Sequence, residues 1–150
     1  EPGRTVYGGL VVTHSLNFDV ELGYLGANGI SVPVTLRHGQ DKVSFEADVD
    51  TGSTFCIFNR GHAETLGLSV ESGELTRFKT VTGSFDAYGH TVTLETLGYS
   101  FDVTVYFAAH ESFTRNVLGR RGWLDQVRLG LVEYESKLYL SRYDKKRIRW

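Results

Sequence analysis

Apolar and polar residues alternate along most of the chain from residue 30 onwards, which is the two-residue period of half-buried β-strands. The first two runs cover residues 30–37 and 43–49, with turn-forming residues at 38–41 between them. This arrangement predicts a hairpin whose second strand leads directly into Asp50.

Two further hairpins follow from the same pattern. Runs at residues 75–81 and 85–97 flank Thr82, Gly83 and Ser84, which predicts a long arm with these small residues at its tip. A strand at 101–107 comes next, and a last hairpin is expected from residues 127–132 and 137–140.

Helix is expected to be minor. Residues 61–68 predict one or two helical turns stopped by Gly67, and residues 121–126 predict a short helix with Trp123 and Leu124 facing inward. Two short strand-like runs, 5–12 and 18–25, precede a turn-rich stretch at 26–29. We therefore expect an N-terminal β extension over residues 1–29 and a main domain over 30–150, which together form one compact all-β domain.

The composition agrees with this class. The 150 residues are 41% hydrophobic and 13% aromatic, which is enough apolar material for one core, and 17 Gly against 2 Pro is typical of a turn-rich β protein. With 16 Lys and Arg against 18 Asp and Glu, the net charge of -2 indicates neither nucleic acid nor an anionic membrane as a partner.

The single cysteine, Cys56, excludes an internal disulfide and lies in an apolar run, where we expect a buried, unreactive thiol. No stretch of 18 apolar residues occurs, so a soluble domain is expected, with the cytoplasm favoured as its location. The absence of methionine suggests that the sequence was processed or excised from a longer chain.

The chemistry centres on the segment Asp50, Thr51, Gly52 and Ser53. Asp50 ends an alternating strand, Gly52 permits a tight turn, and an apolar strand follows immediately at residues 55–58. Such a sequence presents a carboxylate on a rigid loop at a sheet edge.

These residues resemble those of the retropepsins, the single-domain aspartic proteases of retroviral type. Three features carry the resemblance over residues 30 to about 140: the apolar strand into Asp50-Thr51-Gly52, the hairpin in the middle of the chain, and the later segment Val117 to Arg120. The resemblance implies an acid protease barrel with one or two short helices, active as a two-fold dimer on extended polypeptide.

Peptide hydrolysis of this kind needs two carboxylates, and the chain has one such motif. Two carboxyl groups about 3 Å apart cannot both ionise, so they share one proton and can act as base and acid on a water between them. None of the seven other aspartates is followed by Thr-Gly or Ser-Gly: Asp19, Asp41, Asp48, Asp86, Asp102, Asp125 and Asp144. A second copy of the chain is therefore expected to supply the other carboxylate across a two-fold axis.

The resemblance also implies roles for other residues. Thr51 is expected to hydrogen-bond across the dimer, Gly52 to line the scissile bond, and Thr82, Gly83 and Ser84 to form the tip of a flap over the substrate. An ordinary surface hairpin is the alternative for that arm. Phe85 or Tyr88 could contact substrate, depending on strand register.

Three residues are expected to support the catalytic loop. Gly119 allows close approach of the segment Val117 to Gly119 behind it, and Ser53 is expected to hydrogen-bond Asp50. Arg120 matches the usual arginine of the family, but Ser53-Thr54 stand where viral members carry an acidic residue, so Arg120 needs another partner.

Asp48 is a departure from the family pattern. Strand periodicity places it on the same face as Asp50, where relatives usually carry an apolar residue that lines a substrate pocket. The hypothesis is a subsite carboxylate that prefers a basic or polar side chain; a strand-end residue facing solvent is the alternative.

The remaining signals are weaker. The histidines show no metal-ligand spacing, and neither a metal nor a cofactor is predicted. The basic cluster at residues 145–150, with Arg142 upstream, indicates a solvated tail or a contact with an acidic partner, a membrane surface or the other subunit. The rival to an aspartic endopeptidase is a catalytically silent β-barrel module for binding or dimerisation; a regulatory protease with one dedicated substrate would differ only in specificity.

Overall fold

The computed structural model describes residues 14–25 and 29–145, together with the backbone of residues 6–7 and 10–11. The described residues form mainly strands, with one α-helix, α1 (Arg60–Thr65), and three short 3-10 helices at Val70–Ser72, Leu124–Gln126 and Glu133–Glu135. The strands are β1 (Val6–Tyr7), β2 (Leu10–Val11), β3 (Val20–Gly23), β4 (Ser31–His38), β5 (Asp41–Val49), β6 (Ile57–Phe58), β7 (Glu74–Thr80), β8 (Gly83–Thr96), β9 (Tyr99–Ala108), β10 (Val117–Leu118), β11 (Val127–Val132) and β12 (Lys137–Arg142).

Seven strands form one sheet in the order β4-β5-β10-β6-β9-β8-β7. Pairing of β4 with β8, from Thr35↔Glu95 to Arg37↔Thr93, closes six of these strands into a barrel. Strand β7 stands outside that closed ring, because β8 is its only partner among the described strands. We call β7 and the first half of β8 the hairpin arm.

The predicted hairpins are present, but the turn of the arm is shorter than predicted and begins one residue earlier. Thr80 pairs with Gly83, so the turn consists of Val81 and Thr82, and Gly83 and Ser84 already belong to β8. The predicted tip of Thr82, Gly83 and Ser84 is thus wrong in its last two residues. Gly83 has a φ of 153°, a conformation that glycine adopts readily, and this allows a strand residue to follow the tight turn.

A second sheet joins the two ends of the chain in the order β11-β12-β3. Strand β3 pairs with β12 from Lys137↔Gly23 to Leu140↔Val20, so part of the predicted N-terminal extension is built into the same β structure as the C-terminal hairpin. The boundary at residues 29 and 30 stays a prediction. Residues 26–28, and the side chains of residues 1–13, lie outside the described part.

The core lies inside the barrel and beneath α1. Fully buried side chains come from widely separated strands, among them Leu36, Phe58, Leu94 and Leu138. Trp123 is also fully buried, as its apolar pattern predicts, although the expected helix at residues 121–126 is reduced to one 3-10 turn. Cys56, Phe58 and Leu118, which flank the loop after β5 in sequence or in space, belong to this buried cluster.

Candidate active site

The loop that carries Asp50 is held by strand β10, which lies between β5 and β6. Val117 and Leu118 of β10 run parallel to Asp48 and Val49 of β5. The Asp50 N–H then donates to the Leu118 carbonyl at 3.0 Å. The backbone that leads to the carboxylate is therefore hydrogen-bonded to a buried strand and not to water.

The turn after Asp50 is closed by two backbone donors. The Ser53 N–H donates to the Asp50 carbonyl at 3.2 Å, and the Gly52 N–H donates to Oδ1 of the Asp50 side chain at 2.9 Å. A Cβ at position 52 would lie 3.2 Å from the same Oδ1, so glycine leaves room for the carboxylate. Thr51, Gly52 and Thr54 are exposed.

The expected hydrogen bond from the Ser53 hydroxyl to Asp50 is not present. The Ser53 hydroxyl donates instead to the Phe55 carbonyl at 2.8 Å. Only the backbone of Ser53 contacts Asp50, so Ser53 shapes the loop and does not hydrogen-bond the carboxylate. The direction of a hydroxyl in a tight turn depends on the fold of the loop, which the motif does not specify.

Gly119 packs closely against the loop that carries Asp50. A Cβ placed there would lie 2.2 Å from the Phe55 carbonyl oxygen and 2.7 Å from that of Ser53. These are backbone atoms that cannot move aside independently. The next residue, Arg120, donates its N–H to the Ser53 carbonyl at 2.8 Å and is exposed.

Cys56 is fully buried behind the same loop and is a free thiol. The Gly119 N–H donates to its Sγ at 3.4 Å, and Sγ in turn donates to the Arg121 carbonyl at 3.6 Å. Burial raises the pKa of the thiol to about 12, and this outweighs the opposing effect of the Gly119 N–H. The thiol is a structural element of the loop.

Asp50 lies at the wall of a cavity of about 490 Å³ between its own loop and the hairpin arm. The cavity is lined from the loop by residues that include Gly52, Ser53 and Phe55, and from elsewhere by Phe113 and Arg115. Among the described residues that line it, Asp50 is the only carboxylate. The site therefore holds one acidic group.

Aromatic rings form one side of this cavity. Phe78 on β7 contacts Phe55, Phe85 and Tyr106, with ring centroids 5.8, 5.4 and 5.5 Å apart respectively. Phe85 also contacts Phe113 at 4.9 Å. The sequence pattern did not assign this cluster, because its members come from five separate segments; the strand period around Phe78 was the available signal.

The free edge of β7 faces the cavity. Residues 76 to 80 line it without a gap, although successive side chains of a strand point to opposite faces. A cavity that touches five residues in a row must therefore run along the edge of the strand. That edge carries backbone N–H and C=O groups that no described strand pairs with.

The predicted tip residues Thr82, Gly83 and Ser84 are exposed and do not line the cavity. Of the two aromatic candidates, Phe85 lines the cavity, whereas Tyr88 does not. The register explains this result, because Phe85 pairs with Phe78 and lies on the inner face, while Tyr88 is three residues further along β8 and lies on the other face.

Asp48 does not line the cavity either. Asp48 is half-buried and pairs in parallel with Val117. The two side chains therefore lie on the same face of the sheet, but Asp48 is one strand further from the cavity than Val117. Its proposed role as a subsite carboxylate stays a prediction.

Other signals from the sequence lead away from this site. Within the described residues, no group of three or more His, Cys, Asp or Glu side chains is placed to hold a metal ion, and no helix is long and apolar enough to cross a membrane. At the basic C-terminus, Lys145 forms an ion pair with Asp19, and Arg142 forms one with Asp144. Residues 146–150 lie outside the described part.

Solved structures define the class of fold. A retropepsin-like aspartic protease from Rickettsia conorii is similar with a TM-score of 0.58 at 16% sequence identity, over 82% of this chain and 99% of that one. The EIAV protease in complex with the inhibitor HBY-793 is similar with a TM-score of 0.51 at 18% identity, over 66% of this chain and 88% of that one. The fold is retropepsin-like, and the predicted fold class, a mostly β structure with a short helix, is confirmed.

The family follows from the sequence match. Residues 32–121, more than half of the chain, match the aspartyl protease family. The chain belongs to that family, as its resemblance to the retropepsins predicted. A comparison with curated protein sequences finds no match.

Proposed function

We propose that this protein is an aspartic endopeptidase that cleaves extended polypeptides and is active as a homodimer. The observation that carries the proposal is Asp50, the only carboxylate among the described residues that line the cavity, which backbone hydrogen bonds hold beside exposed loop residues. Half of an acid/base pair is useful only when a second copy supplies the other half.

A two-fold axis beside the exposed Thr51 and Gly52 would bring two Asp50 side chains together. Thr51 would hydrogen-bond across the interface, as the resemblance implies. Two carboxyl groups at about 3 Å share one proton, so one accepts a proton from the attacking water while the other donates one to the carbonyl oxygen. Gly52 would leave space for the scissile bond.

The free edge of β7 supports an extended substrate. A peptide in extended conformation can pair with an open strand edge and satisfy its backbone N–H and C=O groups. The edge of β7 and Asp50 line the same cavity, so a peptide bound there would pass the carboxylate. The hairpin arm, with Thr82, Gly83 and Ser84 near its end, would then act as the flap that excludes water.

Arg120 and Asp48 have proposed roles that differ in kind. Arg120 would support the loop through its backbone bond to Ser53. Asp48 would bias specificity towards a basic or polar residue near the cleaved bond. Profiling of cleavage sites with Asp48→Ala tests that role, and an unchanged profile would rule it out.

The central experiment compares the wild type with Asp50→Asn on a mixed peptide library between pH 4 and pH 7. The substitution keeps the shape of the side chain and removes its acid/base capacity. Asp102→Asn is the matched control, because Asp102 is an exposed carboxylate on β9 that does not line the cavity. Cleavage should be lost in Asp50→Asn, retained in the control, and inhibited by a statine-type transition-state analogue.

Dependence on protein concentration tests the dimer. Below the dissociation constant of the dimer, specific activity should rise with concentration, and sedimentation should detect the two-fold species. Cleavage by Asp50→Asn would overturn the acid/base mechanism. Full activity of a strict monomer would overturn the shared site, and a dimer with no cleavage of any peptide would favour the silent binding module.

A further inference from the structure

The two faces of strand β7 differ in chemistry. Thr76 and Phe78 lie on the inner face, where Phe78 pairs with Phe85 and packs against Phe55. Arg77 and Lys79 lie on the opposite face, since neighbouring residues of a strand alternate. One edge of the cavity therefore combines an aromatic face with a cationic face.

The positive charges on that edge are only partly compensated. Arg77 pairs with Asp86 at 2.9 Å, its cross-strand neighbour. Lys79 has Ser84 opposite it and no ion pair with any described residue. Arg115 adds a further exposed cation at the cavity. Apart from Asp50, every charged residue lining the cavity within the described part is a cation.

A peptide that pairs with the free edge of β7 must present its side chains with the same alternation. Side chains directly opposite each other on paired strands lie with Cβ atoms about 4.5–5.5 Å apart, and opposite charges there attract while like charges repel. A side chain on the inner face would meet Phe78 and its aromatic neighbours. Its neighbour in sequence would lie on the face of Lys79.

We propose that the groove selects peptides in which a large apolar residue is followed or preceded directly by an acidic residue. The apolar side chain lies against Phe78, and the acidic one lies beside Lys79. The inference rests on the proposed function for the placement of an extended peptide along β7. Two-fold symmetry repeats the preference on the other side of the cleaved bond, through the partner copy.

The test uses peptides that share one Phe and carry Glu, Gln or Lys at the positions directly beside it. Cleavage by the wild type is compared with cleavage by Lys79→Glu, and Lys42→Glu is the control because Lys42 is an exposed lysine at the far hairpin of β4 and β5. We expect kcat/KM of the wild type to fall by about two- to fivefold from Glu to Gln and again from Gln to Lys, as for an exposed charge pair.

The order of kcat/KM among the Glu, Gln and Lys peptides should invert in Lys79→Glu and stay unchanged in Lys42→Glu. High salt should reduce the differences in kcat/KM between the peptides for the wild type and for every variant. The same order in the wild type and in Lys79→Glu, or no charge preference in the wild type, would overturn the inference. Lys79→Gln should remove the preference without inverting it.

Binding separates this inference from the proposed function. The same peptides with a reduced scissile amide cannot be cleaved, and their dissociation constants should follow the same charge order. Binding with that order but without cleavage of the normal peptides would support the groove preference and refute the peptidase. Cleavage without any charge order would support the peptidase and refute the preference.

Discussion

The rings of Phe55 and Phe78 meet edge to face, with centroids 5.8 Å apart and an interplanar angle of 77°. Phe55 lies five residues after Asp50, in the segment between the Asp50 loop and β6, and Phe78 lies on the edge strand of the hairpin arm. Ring pairs of this kind contribute about 0.5–1.5 kcal/mol beyond the area they bury. The arm is therefore held against the Asp50 loop by contacts within one chain.

Removal of the Phe78 ring should release the arm. We expect Phe78→Ala to raise KM for peptides more than it lowers kcat, because the arm must then be ordered at the expense of binding energy. The half-buried ring should also contribute roughly 1–3 kcal/mol to the free energy of unfolding. Phe78→Leu should restore part of the stability, and peptide cleavage kinetics together with urea unfolding measure both effects.

Phe18→Ala is the matched control for Phe78→Ala. Phe18 is also half-buried and contacts one ring, that of Tyr139 at 5.9 Å, but it precedes β3 and packs against the second sheet. Phe18→Ala should lower the free energy of unfolding without a change in KM. An equal rise of KM in the two variants would show that the effect on KM comes from general destabilisation.

Gly119→Ala should distort the catalytic loop. Its new Cβ would lie 2.2 Å from the Phe55 carbonyl oxygen, so the loop or β10 must move. Overpacking of this type costs about 1–3 kcal/mol, and we expect that loss of stability together with a larger loss of cleavage activity. In Gly23→Ala, where a Cβ meets no atom within 4 Å, urea unfolding and activity should stay near wild type. Normal activity in Gly119→Ala would contradict the close approach.

The sequence predicts the elements of this fold well and their tertiary contacts poorly. The hairpin of β4 and β5, the arm and the last hairpin all follow from alternation and turn residues, which are local properties of the chain. The turn of the arm begins one residue earlier and ends two residues earlier than predicted, because the register of β7 against β8 is set by pairing along the whole arm.

The same distinction between local features and tertiary contacts applies to the candidate site. Asp50, Gly52 and Gly119 belong to short motifs, so the sequence identifies them without knowledge of the fold. Phe78 and Phe55 are 23 residues apart, and only strand order brings them together at the cavity. The sequence predicts a hydrogen bond from the Ser53 hydroxyl to Asp50, but the hydroxyl donates to the Phe55 carbonyl, since side-chain direction in a turn depends on the loop around it.

His62 should weaken the protein at acid pH. Its ring stacks on Phe45 at 3.9 Å, and burial lowers its pKa, against the opposing effect of a hydrogen bond with Asn116. The folded chain then binds fewer protons than the unfolded chain below about pH 6.5, so stability falls as the pH drops through that value.

The test of this effect is urea unfolding of His62→Gln between pH 7 and pH 5. The variant should lose less stability over that range than the wild type. His38→Gln replaces an exposed histidine at the end of β4, and its pH dependence should match the wild type. Parallel curves for the wild type and His62→Gln would exclude His62 as a source of acid sensitivity.

Cys56 should be inert in the folded protein. With its pKa raised to about 12 by burial, the fraction of thiolate at pH 8 is on the order of 10³ lower than for an ordinary thiol, and no surface of the side chain is exposed. Iodoacetamide should therefore label Cys56 in urea but not under native conditions, as mass spectrometry would detect. Peptide cleavage should survive the native treatment, which separates an aspartic mechanism from a thiol mechanism. Rapid native labelling with loss of cleavage would place the thiol at the active site and contradict both its burial and the role of Asp50.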